Sequence, residues 1–264
     1  MDISIINQQG KKIFCRLDRP DGDKKSFPAI LVVHGFKGDS TQRHITKIAG
    51  SLNRAGFAVL RPDLTKNPGN SYLEFSDMTY KQELSDLEDI YSALAQIDGV
   101  DFERVGVAGH SLGGMLAAEL ASKYSNIKSL ATLSAVYDFK SIEDRIFSKP
   151  HEAAKADFYK KGWTSVWSRS ENRELLIRKS FYEDALFRTA GDFANNIHCP
   201  VLIISGSDDE SVSQSHATNY LKHVESSKKK MEIITGADHN YSGLALDIVS
   251  RLVCAHFTEV LLES

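Results

Sequence analysis

The sequence predicts an α/β fold with a mostly parallel central sheet and helices on both faces. Two observations carry this expectation. Short apolar runs alternate with longer amphipathic ones along the chain. The short runs are also apolar throughout, not at every second residue, as strands buried on both faces require.

The elements follow in order. "AILVVHG" (29–35) is a buried strand ending in glycine. "HITKIAGSLNRAG" (44–56) is a helix with Ile45, Ile48, Ala49 and Leu52 on one face and Gly56 as its stop. "FAVLRPD" (57–63) is a strand closed by Pro62. Residues 79–97 form a helix, with Thr79 and Gln82 in a capping-box pattern and Leu84, Leu87, Ile90, Tyr91 and Leu94 as the apolar stripe. "RVGVAGH" (104–110) is a strand and "LGGMLAAELASKY" (112–124) an apolar helix. "SLATLSA" (129–135), "VLIISG" (201–206) and "MEIITG" (231–236) are further strands, and helices over 213–222 and 243–262 follow the last two.

Residues 138–196 break the alternation. They are charged with mixed sign, helical in pattern, and contain both tryptophans. The expected organisation is a core of 1–137 and 197–264 carrying an inserted helical cap of 138–196. Within the cap, Trp163 and Trp167 are four residues apart and would share a helix face. They could dock the cap on the body or form an aromatic wall for substrate binding over an acyl or aryl group.

Composition narrows the function. The 264 residues carry a formal charge of −3, which argues against nucleic acid or an anionic membrane as partner. Three unpaired cysteines, Cys15, Cys199 and Cys254, argue against a disulfide framework and for a reducing compartment. With neither an export signal nor an apolar run of membrane-spanning length, the expected location is the cytoplasm.

Gly109-His110-Ser111-Leu112-Gly113 fits G-x-S-x-G, with a strand before it and a helix after it. A serine at such a sharp turn takes an unfavourable backbone conformation, and its crowded neighbours need to be glycine. The turn also aims the Leu112 N–H where an oxyanion would form. A helix N-cap serine in a glycine-rich turn would carry the same residues. A serine hydroxyl needs a base, usually histidine held by a carboxylate. The loop after "VLIISG" offers Asp208, Asp209 and Glu210, and residue chemistry alone leaves the choice open. Ser211 and Gln214 form a second capping-box pattern there. His239 follows the last predicted strand, downstream of both partners. His34-Gly35-Phe36-Lys37-Gly38 ends the first apolar strand, and its glycines let the Phe36 N–H face an oxyanion.

Together "HGFKG", "GHSLGG", "GSDDESV" and "GADH" resemble the α/β-hydrolase superfamily along the whole chain, in the expected order and at the expected strand ends. The resemblance implies an α/β-hydrolase fold and selects Asp209, three residues after Gly206 and three before Val212. It makes Ser111 the nucleophile, His239 the general base, and Phe36 and Leu112 the oxyanion donors. Within the superfamily the chain looks most like small serine esterases of the cinnamoyl (feruloyl) esterase type, although Leu112 stands where many of those enzymes carry glutamine. The implied activity is hydrolysis of small acyl or aryl esters, hydroxycinnamoyl esters included, without cofactor or metal. The alternatives are a thioesterase, an acyl-peptide hydrolase or aminopeptidase, or a non-catalytic binding protein on the same fold. The expected partner is a small-molecule ester, with no nucleic acid and no membrane, and a homodimer stays open.

Overall fold

A computed structural model describes residues 1–21, 25–142, 156, 158–168 and 171–263. Eight strands form one sheet in the order β1 (Asp2–Ile6), β2 (Lys12–Asp18), β4 (Ala58–Pro62), β3 (Phe27–Val33), β5 (Val100–His110), β6 (Ile127–Leu133), β9 (Val201–Gly206) and β10 (Lys229–Ile234). From β4 to β10 every pairing is parallel, whereas β1 and β2 add an antiparallel edge. The parallel strands are the continuous apolar runs of the sequence, and all seven residues of β3 are buried.

Helices cover both faces, as two apolar clusters show. On one face α1 (Arg43–Arg54) and the C-terminal α6 (Ala245–Leu261) bury Ile45, Ile48, Leu52, Val249, Val253 and Phe257. On the other, α2 (Tyr80–Ala93), α3 (Leu112–Lys123) and α5 (Gln214–His223) bury Leu84, Leu87, Met115, Leu116 and Tyr220. Each such side chain contributes about 1.5–3 kcal/mol on leaving water, so the two faces hold the sheet between them. The α2 cap is half of the expected box: the Thr79 hydroxyl accepts from the Gln82 N–H at 3.1 Å, but the Gln82 side chain bonds Asp86 instead of returning.

β4 lies on one side of β3 and β5 on the other, so the winding reverses at β3. Ligands bind at the carboxyl ends of strands at such a switch point. The register brings those ends level, with Val33 opposite Gly109, His110 opposite Leu133, Leu133 opposite Ile204 and Gly206 opposite Ile234. The loops after β3, β5, β6, β9 and β10 therefore gather on one rim.

Between β6 and β9 the chain leaves the sheet. Its exit and return run side by side: the Phe139 N–H donates to the Arg188 carbonyl and the Ala190 N–H to the Tyr137 carbonyl. The described part of the insertion is only partly helical, which corrects the helical expectation. Trp163–Ser168 (β7) and Arg173–Arg178 (β8) form an antiparallel hairpin, and a helix α4 (Lys179–Ala185) follows. Gly162 and Asn172, both at positive φ, bracket β7. Thr164, Val166 and Ser168 point inward and alternate with outward Trp163 and Trp167, a period of two that suits aromatic and β-branched residues.

Two strands of the main sheet also escaped the sequence reading. β1 and β2 are amphipathic, with Ile13, Cys15 and Leu17 buried at every second position.

Candidate active site

Ser111 occupies the turn between β5 and α3 at φ 56° and ψ −121°, a conformation that costs a non-glycine residue about 1–3 kcal/mol. The surroundings enforce it. The Ser111 N–H donates to the Leu133 carbonyl at 2.9 Å, and its carbonyl accepts from the Gly114 and Val136 amides at 3.0 and 3.1 Å. The motif glycines are steric necessities: a Cβ on Gly109 would overlap the Gly113 carbonyl, and one on Gly113 would overlap the His34 carbonyl. Gly35 backs directly onto the serine, where a Cβ would sit 2.9 Å from that of Ser111.

His239, in the loop after β10, faces the serine. Its Nδ1 lies 2.8 Å from Asp209 Oδ2 and its Nε2 lies 3.0 Å from Ser111 Oγ. A carboxylate only accepts, so Nδ1 carries the ring proton. Nε2 is then free to accept the serine proton. The Asp209 side chain is fully enclosed, whereas that of His239 keeps 20% of its surface open.

The carboxyl of Asp209 is held below its ordinary range. Burial pushes it up. The bond and charge of His239, the Val212 amide and the Ser134 hydroxyl more than offset that push. Asp209 Oδ1 takes the Ser211 and Val212 amides at 2.8 and 2.9 Å. The same bonds correct the second capping-box expectation: α5 begins at Gln214 after Ser213, and Ser211 serves the carboxylate loop. Of the three neighbouring acids, Asp208 is exposed and bonds the Ser207 hydroxyl at 2.7 Å, and Glu210 is exposed.

Phe36 lies in the turn from Gly35 to Gly38, closed by the Gly38 N–H on the Gly35 carbonyl at 3.0 Å. Leu112 is the first residue of α3. Among the described residues neither amide has a protein acceptor. Trp163 and Trp167 stand on the outer face of β7, each about half exposed, at 47% and 54%. They share a face of a strand, not of a helix.

Several supporting roles were missed. His34 accepts the Leu64 N–H at Nε2, 3.0 Å away, and donates from Nδ1 to the Gly35 carbonyl at 2.9 Å, fixing the start of the Phe36 turn. Ser134 and Tyr241 share a hydrogen bond of 2.9 Å beneath Asp209. Both are at positive φ, a feature no side-chain pattern announces. Among the described residues no group of three or more His, Cys, Asp or Glu could hold a metal ion, and no helix is long and apolar enough to cross a membrane.

Residues 30–247 match the model of the alpha/beta hydrolase family. The structure is similar to that of the ferulic-acid-bound Est1E from Butyrivibrio proteoclasticus, at a TM-score of 0.84 and 26% identity, covering 98% of this chain and 99% of that one. Over 216 residues, 80% of this chain and 82% of the relative, the sequence is 24% identical to a thermostable monoacylglycerol lipase of Bacillus sp. (strain H-257). It is also 24% identical over 245 residues to the mouse (Mus musculus) serine hydrolase BPHL, spanning 85% of this chain and 77% of that protein.

Proposed function

The chain belongs to the alpha/beta hydrolase family, and on that premise we propose that it is a serine carboxylesterase acting on small acyl or aryl esters through an acyl-enzyme. The observation that carries this reading is the unbroken hydrogen-bonded run from Ser111 Oγ through the His239 ring to Asp209. A hydroxyl so placed can lose its proton as it attacks.

In the first half-reaction Ser111 Oγ bonds to the ester carbonyl carbon while its proton moves to His239 Nε2. Asp209, anionic and enclosed, stabilises the imidazolium that forms. The carbonyl oxygen becomes an oxyanion, met by the N–H groups of Phe36 and Leu112; losing one such donor typically costs ~3 kcal/mol of barrier. The tetrahedral species collapses, the carbon–oxygen bond to the alcohol breaks, and His239 returns the proton to the leaving oxygen. Water then repeats the sequence on the acyl-enzyme, releasing the acid and restoring Ser111.

The substrate class rests on likeness. Est1E is described with ferulic acid bound and the Bacillus relative as a monoacylglycerol lipase, so aryl and acyl esters are the first candidates here. Trp163 and Trp167 stand as substrate contacts for an aryl group. Residues 1–137 and 197–264 serve as the catalytic body and 138–196 as the cap, working in the cytoplasm.

The test is hydrolysis of p-nitrophenyl acetate and butyrate by the protein and by Ser111→Ala, followed by a panel of short-acyl, long-acyl and hydroxycinnamoyl esters. Hydrolysis lost in Ser111→Ala supports the reading. Equal rates for the two proteins overturn it.

A further inference from the structure

We propose that the inserted segment braces the oxyanion loop: the ring of Phe181 and the main-chain oxygen of Trp167 hold Phe36 and Lys37 so that the Phe36 N–H points at the reacting carbonyl. This rests on the serine-esterase reading above and adds positioning residues to it.

The one hydrogen bond that closes the turn from Gly35 to Gly38 leaves a strained residue inside it. Lys37 sits at φ 61°, in the left-handed region that an L-residue with a side chain avoids. Strained backbone persists only where surroundings over-determine it. The body of the protein fixes one end of the turn, through His34 and through Gly35 against Ser111.

The insertion fixes the middle. The Phe36 ring stacks on that of Phe181 in α4, at 5.3 Å between centroids and 17° between planes, and the Phe75 ring of the body tilts against it at 5.3 Å. Phe181 is 1% exposed and packs edge-on against Phe139 at the start of the insertion. One residue on, the Lys37 ammonium reaches β7 and donates to the Trp167 carbonyl at 3.1 Å. Two consecutive side chains of the oxyanion loop thus run to two different elements of one insertion.

That insertion is itself tied down. Arg178 of β8 pairs with Asp77 at 2.9 Å, and Asp184 of α4 accepts the Lys81 N–H at the start of α2 at 2.7 Å. A force displacing the insertion would therefore move Phe36 and leave the Ser111–His239–Asp209 run in place, because among the described residues none of those three bonds to it. Donor placement matters most when charge develops on the carbonyl oxygen, so the brace acts on kcat more than on KM.

The test uses the full chain and p-nitrophenyl acetate. Phe181→Leu removes the stacked ring and Lys37→Met the hydrogen bond. The expected result is a fall in kcat of about tenfold for Phe181→Leu and a smaller fall for Lys37→Met, the size expected of a displaced oxyanion donor. KM and the midpoint of the pH–kcat profile should stay where they are in the unaltered protein, which general disturbance of the triad would not allow. Circular dichroism checks that each variant is folded; if Phe181→Leu is not, Lys37→Met decides alone. An unchanged kcat in the deciding variant, or a fall accompanied by a shifted pH profile, overturns the brace. Absence of Ser111-dependent hydrolysis in the unaltered protein overturns the esterase reading and the brace with it, so the two failures are distinguishable.

Discussion

His110 donates its Nε2–H to the main-chain oxygen of His239, 2.7 Å away. The residue before the serine therefore holds the loop that carries the base. A carbonyl cannot donate, so the ring proton is on Nε2 and Nδ1 is bare; that Nδ1 is buried with no partner among the described residues. Burial first, and then the proximity of the His44 and His239 rings, keeps His110 well below its ordinary titration range, so it stays neutral.

Replacing His110 tests that link. His110→Gln keeps an N–H donor of similar reach and should retain kcat within about threefold. His110→Leu fills the space without the donor and should lower kcat roughly tenfold, because small displacements of a base are expensive. Steady-state rates on p-nitrophenyl acetate read the difference. Equal rates for the two variants would remove His110 from the supporting set.

Asp209 and Asp208 are adjacent but differently placed. Asp209→Asn should reduce kcat by a factor on the order of 10³–10⁴, since an amide can impose the wrong imidazole tautomer. Asp208→Asn touches only the Ser207 hydroxyl and should leave the rate within about twofold. The same ester assay on both variants decides, and a larger loss in Asp208→Asn would reassign the acid.

Two buried groups pull stability in opposite directions as pH changes. Burial, with help from His239 and His34, lowers His44 to about 4 from the ordinary 6.5. The unfolded chain therefore binds more protons there, and stability is lost as pH drops from 6.5 towards 4. Burial and then the charge of Asp86 raise Glu83 to about 8 from 4.5. The folded chain binds more protons in that window, and stability is lost as pH rises from 4.5 towards 8. Glu83→Gln should raise Tm relative to the unaltered protein at pH 8.5 by at least about 2 °C, the shift worth roughly 1 kcal/mol, and have little effect at pH 4.5. Thermal melts across this range check the sign.

Trp163 and Trp167 present aromatic surface on the hairpin whose backbone Lys37 contacts. If they meet the aryl group of a substrate, Trp167→Ala and Trp163→Ala should raise KM for a hydroxycinnamoyl ester several-fold, in line with the ~1–3 kcal/mol of a lost aromatic contact. Acetyl ester hydrolysis should be unchanged. A KM unaltered for both esters would assign the outer face of the hairpin another use.

The parallel strands and their order of motifs were readable because a strand buried on both faces has no choice but to be apolar throughout, as β3 is. The elbow was readable because Gly109 and Gly113 are dictated by contact with neighbouring carbonyls. The hairpin was not. A spacing of four places Trp163 and Trp167 on one side of a helix and equally on one side of a strand, so the pair could not discriminate; Gly162 and Asn172 at its ends were the better signal. β1 and β2 hid in a short polar alternation. The Ser211 cap was misjudged because the Ser211 and Val212 amides turn back onto Asp209, and the helix starts only after Ser213. His110, Ser134 and Tyr241 support the site through contacts over more than a hundred residues of sequence, which local pattern does not carry.

The most direct test of the central claim is labelling with a fluorophosphonate, read by mass spectrometry of the intact protein and its peptides. One adduct per chain is expected, on Ser111, absent from Ser111→Ala and strongly slowed in His239→Ala. No adduct on the folded protein, or an adduct on another residue, would contradict an activated Ser111.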